Sequence, residues 1–141
     1  MRRVILAAIL CLVAAAPAGA EVRILSSPGG EVGDFLRLFA DLRQSGERIV
    51  IDGPCYSACT LVLSMVPQER ICVTRRAVLG FHAARLVDEY GHETPATEAT
   101  DVVTASYPSG VRAWINRHGG LRPKPIFLRG RELAALFPRC S

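Results

Sequence analysis

Several things are missing from this chain of 141 residues. It has no CxxC pair and no HxxxH spacing, and its histidines stand far apart at His82, His92 and His118. Clustered Cys and His ligands are what a zinc site needs, and a short CxxC is what a thioredoxin-like couple needs, so both chemistries lose their usual carriers. Charge of one sign is not in excess either, with 17 basic against 13 acidic residues. That balance points to neither a nucleic-acid partner nor a charged membrane surface. Internal repeats, low-complexity tracts and a second-domain linker are also absent, so one small domain with one core is expected. Lysine is nearly lacking, since 16 of the 17 basic residues are arginine; no function is read from that.

Long apolar runs are scarce as well. The longest stands at the start, where Arg2 and Arg3 precede an apolar stretch from Val4 to Ala16 and a small-residue Ala18-Gly19-Ala20. The stretch falls short of the roughly 20 residues that cross a bilayer. The order of basic, apolar and small residues is that of a cleavable secretory signal peptide over 1–20, which leaves a mature domain over 21–141. A periplasmic or secreted protein with no stable membrane anchor is expected. Cleavage removes Arg2 and Arg3, leaving 15 basic against 13 acidic residues, a net charge of +2. Cys55, Cys59, Cys72 and Cys140 remain, and in an oxidising compartment four cysteines read as two disulfides with three connectivities.

Along the mature chain, EVRIL (21–25) alternates like a strand and SSPGG (26–30) breaks it. Val32, Phe35, Leu36, Phe39 and Leu42 then recur at helical spacing, and Gly46 ends the run. RIVIDG (48–53) reads as a strand buried on both faces. ACTLVLSMV (58–66), apolar on every side, reads as a buried helix. ERICVT (69–74) and AVLGFHA (77–83) follow as strands. The alternation predicts an α/β layered fold with parallel neighbours. LVDEYGHETPATEAT (86–100) has no apolar face and is expected to be a long surface loop able to cover a site. Val102 to Ile115 predicts helix interrupted near Pro108, LRPKPIFLRG is expected to be extended, and RELAALFP closes with a short helix.

In such a fold the turn from a buried strand into a buried helix lies where α/β proteins place their ligands, and Ser57 of GPCYSACT occupies that turn. Locally the serine has two readings, a helix N-cap or a nucleophile whose oxyanion is met by free backbone N–H groups. SPGG alone is only a turn, and His82 alone is a histidine in an apolar strand.

Taken in order, SPGG, then SAC after an apolar strand, then GFH after a helix and strand, resemble the Clp protease proteolytic subunit and the signal peptide peptidase branch of its superfamily. The resemblance covers about 21–136. It implies a short, single-domain ClpP/crotonase-like superhelix of strand and helix units. It also implies Ser57 as nucleophile, His82 as base, and an oxyanion hole from the N–H groups of Gly30 and Ala58. The separation of 25 residues between serine and histidine is that of the Clp subunit. The family's catalytic aspartate would fall just before IFL, where this chain has Pro125, and no carboxylate lies between Asp101 and Glu132. Stand-ins include a backbone carbonyl or Asp88, Glu89, Glu93 or Asp101.

A serine peptidase acting on peptide or protein, without metal or organic cofactor, is the first expectation, with homo-oligomers as the superfamily implies. A catalytically weak relative that binds peptides or assembles with envelope proteins is the second. Acyl-coenzyme A chemistry shares the fold but is disfavoured by the secretory signal. Cys55 and Cys59 flank the proposed nucleophile, and their pairing would clamp it, leaving Cys72 for Cys140. The pairing of Cys59 with Cys72 and Cys55 with Cys140 stays open.

Overall fold

A computed structural model describes residues 19–141 of the chain. The signal peptide expected over 1–20 therefore lies, but for Gly19 and Ala20, outside the described residues. Among those described, no helix is long and apolar enough to cross a membrane.

The fold mixes helices with two three-stranded sheets. Strand β1 (Glu21–Ile24) leads through SSPGG into helix α1 (Val32–Ser45) and back to β2 (Arg48–Ile51). The Glu31 carboxylate accepts from the Asp34 N–H at 2.9 Å to start α1, and Gly46 ends it at φ 78°, a left-handed conformation open to glycine. Strand β3 (Pro54–Tyr56) comes next, then a 3₁₀ turn (Ser57–Leu61) running into the short helix α2 (Val62–Met65). Strands β4 (Ile71–Val73) and β5 (Val78–Phe81) follow. The segment expected to be a loop instead forms a hairpin of β6 (Arg85–Val87) and β7 (Glu93–Pro95), then the first turn of α3 (Thr97–Ser106). Helix α4 (Ser109–Arg117), strand β8 (Ile126–Arg129) and helix α5 (Gly130–Leu136) complete the chain.

One sheet has the order β1-β2-β4, all parallel, and the other the order β3-β5-β8. The parallel neighbours expected from the alternation hold for five of these strands. Strand β8 differs, pairing antiparallel with β5. The Ala83 N–H donates to the Arg122 carbonyl at 2.8 Å, so the chain returns from α4 at the far end of β5 and has to run back along it. The buried helix expected over 58–66 is buried as foreseen, but its first half winds as 3₁₀.

The core explains the closure. Ile49, Ile51, Ile71, Val73 and Leu79 lose essentially all contact with water, and Phe39 of α1, Trp114 of α4 and Phe137 close over them. Phe81 meets Tyr107 edge-on, with ring centroids 5.3 Å apart, and lies 5.9 Å from Trp114. These contacts fix β5 against the α3–α4 junction and against α4 immediately before His82. The tail joins in as well: Val73 donates to the Pro138 carbonyl, Cys140 donates to the Val73 carbonyl, and a disulfide links Cys72 to Cys140.

Candidate active site

Ser57 and His82 come from different strands of the second sheet. Ser57 follows β3 and His82 follows β5, and these strands are parallel neighbours with Tyr56 opposite Gly80. Their ends therefore lie side by side. The Ser57 Oγ is 2.8 Å from the His82 Nε2. The serine side chain is thus directed at the imidazole and does not cap the helix that follows.

The backbone at Ser57 is unusual. Its φ is 55°, the one positive value at a non-glycine among the described residues. An L-residue held there costs about 1–2 kcal/mol, so its surroundings must enforce it. Three neighbours do so. The Thr60 hydroxyl donates to the Ser57 carbonyl at 2.7 Å. A disulfide joins Cys55 to Cys59 across the turn, their Cα atoms 5.3 Å apart. Gly29 lies so close that a Cβ there would be 2.6 Å from both the Ser57 Cβ and the Tyr56 carbonyl oxygen.

Gly29 arrives there because SSPGG runs beside β3. Ser27 N–H donates to the Pro54 carbonyl at 2.8 Å, and Tyr56 N–H donates to the Ser27 carbonyl at 2.9 Å. A side chain on Gly29 would also press within 3.1 Å of the Ala58 nitrogen, so the glycine leaves that N–H approachable. Neither the Gly30 nor the Ala58 N–H finds a partner among the backbone hydrogen bonds of the described turns and loops.

Tyr107 backs the turn from beneath. Its hydroxyl is 2.6 Å from the Thr60 Oγ1. Because the Thr60 hydrogen is given to the Ser57 carbonyl, which only accepts, Tyr107 must donate to Thr60. Burial raises the Tyr107 phenol to about 12, the bond to Thr60 pulling weakly the other way.

The proton on His82 can be placed by the same reasoning. Nδ1 lies 2.7 Å from the Ala83 carbonyl oxygen, which has no hydrogen to give. Nδ1 therefore carries the proton, and Nε2 presents its lone pair to the Ser57 hydroxyl. Of the stand-ins for the missing aspartate, the backbone carbonyl is the one in place. The carboxylates go elsewhere: Asp88 accepts from Tyr90 N–H and His92 N–H in the hairpin turn, and Glu93 pairs with Arg85 at 3.2 Å. Neither Glu89 nor Asp101 makes a hydrogen bond to His82.

Two hollows open beside the pair. A narrow one of about 40 Å³ is bounded by Ser57, Ala58, Leu61, Val103 and Tyr107, and a wide one of about 580 Å³ extends from His82 along the hairpin and α3. No group of three or more His, Cys, Asp or Glu side chains among the described residues could hold a metal ion. No protein-family model and no curated protein sequence matches the chain.

Sequence reasoning missed Gly29 and Thr60. Gly29 was available as one of the two glycines of SPGG, and Thr60 only as a residue three beyond the serine.

Proposed function

We propose that this chain is a serine hydrolase working by acyl transfer, of the peptidase type found in the ClpP/crotonase-like superfamily. One observation supports it most: the Ser57 hydroxyl lies 2.8 Å from an imidazole nitrogen whose lone pair is free, on a backbone turn held in a costly conformation. His82 Nε2 takes the Ser57 proton as Oγ attacks the acyl carbonyl. Gly30 and Ala58 N–H groups receive the oxyanion, and Gly29 keeps the approach to Ala58 clear. His82 then protonates the departing amine, and water repeats the sequence to free the acyl group. No metal or organic cofactor takes part. Two disulfides fit an oxidising compartment, and with the signal-like start they support a periplasmic or secreted location.

The proton partner of His82 defines the strength of the catalyst. In chymotrypsin-type triads an altered acid costs about 10⁴ in turnover, largely through the wrong tautomer. Here Ala83 keeps the right tautomer but brings no negative charge to the imidazolium. Fluorophosphonate labelling tests the reading. The wild type should label, Ser57→Ala should not, and His82→Ala should label at least about 100-fold more slowly. Equal labelling of Ser57→Ala would remove Ser57 as the nucleophile.

The uncharged partner of His82 also favours a second reading, a weak or inactive relative that binds peptides or helps assemble envelope proteins. Under that reading Ser57→Ala retains full biological activity in the parent organism.

A further inference from the structure

The two hollows that meet at the Ser57–His82 pair differ more than tenfold in volume, and this difference bears on the substrate. The narrow one, about 40 Å³, touches both Ser57 and His82 and is lined by Ala58, Leu61, Val103, Tyr107 and the exposed Val32 at the start of α1, meeting the wide one at His82 and Ala84. The wide one, about 580 Å³, includes His82 but not Ser57. It runs past Ala83 and Ala84 to Arg85, Glu93, Pro95, Thr97, Asp101 and Leu121.

Acyl transfer assigns the two sides. The acyl carbon bonds to Ser57 Oγ, so its own substituent must sit beside Ser57. The leaving atom must lie within reach of the proton on His82 Nε2, so the leaving segment must extend from the histidine. We propose, resting on the serine hydrolase reading, that the enzyme cleaves behind a small side chain and carries its binding contacts on the leaving side. The acyl half is a residue of the size of glycine, alanine or serine, and the leaving half is an extended peptide segment.

The volumes set the limits. A hollow needs about 10–15 Å³ on this measure to hold one water, so about 40 Å³ holds about three to four water-sized groups, enough for a small side chain and not for a long or aromatic one. Its inner wall is firm, because Tyr107 is fixed by Thr60 and by Phe81 and Leu61 is buried, while Val32 on its outer side is exposed. About 580 Å³ lies in the range of clefts that enclose whole ligands. Its wall carries the Arg85–Glu93 ion pair and Asp101, polar groups suited to a peptide backbone.

The covalent steps balance. Ser57 Oγ–H gives its proton to His82 and its oxygen forms an ester to the small acyl group. The C–N bond breaks, the proton passes to the departing amine, and the new N-terminus leaves through the wide cavity. Water then hydrolyses the ester, restoring the serine hydroxyl and the neutral imidazole.

p-Nitrophenyl acetate, butyrate and octanoate share a leaving group and differ only in acyl length, with Ser57→Ala as the blank. Acetate should be turned over at least about tenfold faster than octanoate through Ser57, the discrimination one closely fitted pocket gives. Val103→Ala should raise the butyrate-to-acetate ratio about tenfold. Acetyl-alanyl peptides with leaving segments of about four residues should show a KM at least about tenfold below those with one. Wild-type turnover of octanoate equal to that of acetate would overturn the small-acyl assignment while the hydrolase reading stood. Equal KM for both leaving segments would overturn the leaving-side assignment. Absence of Ser57-dependent turnover of every ester, together with absence of fluorophosphonate labelling, would remove the hydrolase reading and this inference with it.

Discussion

Ser57, Gly29, Thr60 and Tyr107 act as one unit, although none is adjacent to another in the chain. Gly29→Ala places a Cβ 2.6 Å from the Ser57 Cβ and puts an L-residue at φ 86°. We expect a stability loss of at least about 2 kcal/mol by urea unfolding, and loss of fluorophosphonate labelling out of proportion to it. Tyr107→Phe removes the donor to Thr60 and should cost about 1 kcal/mol. It should also abolish the tyrosinate absorbance step expected near pH 12, the value to which burial lifts this phenol. Asp52 shows charge acting away from the site. Its carboxylate accepts from Arg76 at 2.6 Å, Thr74 at 2.7 Å and Arg23 at 3.0 Å, which hold its pKa far below the usual carboxylate range. A depressed folded pKa gives stability that is complete above about pH 4 and is lost as the pH falls through the folded value. Asp52→Asn should therefore lower stability near neutrality and flatten its acid dependence, which urea melts near neutral pH and at about pH 3 would record.

At the scale of elements, the two disulfides hold different things, one the C-terminal tail and the other the Ser57 turn. Cys72–Cys140 closes a span of 68 residues and Cys55–Cys59 one of 4. Loop-closure entropy assigns about 4 kcal/mol to the first and about 2 kcal/mol to the second. The Cys72→Ala/Cys140→Ala protein should lose more in urea unfolding, and Cys55→Ala/Cys59→Ala should lose more in labelling rate. The opposite ordering would mean that the short bridge does not hold the Ser57 turn. Strands β1 and β2 and helix α1 were legible because their apolar residues keep one period over four or more positions. Strand β3 was not, since Pro54, Cys55 and Tyr56 merge with the turn that follows. The β6–β7 hairpin was hidden for another reason. Leu86, Val87 and Tyr90 are exposed, so no buried face writes a pattern, and Asp88 holds the turn through hydrogen bonds instead. The pairing of Ser57 with His82 was readable from the ordered motifs, not from periodicity. A backbone carbonyl as the histidine's partner has no signature, because any residue at position 83 supplies one.

For the molecule as a whole, the site stands where the two sheets meet. The first sheet delivers SSPGG from the end of β1, and the second presents Ser57 and His82 from the ends of β3 and β5. Tyr107, just after α3, and Trp114 of α4 pack on Phe81, the last residue of the strand that His82 follows. The most direct test of the whole scheme is peptide mapping after reaction with an alkyl fluorophosphonate. One covalent adduct, confined to the peptide that contains Ser57 and lost in His82→Ala, is the expected result. An unmodified Ser57 peptide under conditions that label a known serine hydrolase, or an adduct that persists undiminished without His82, would contradict it.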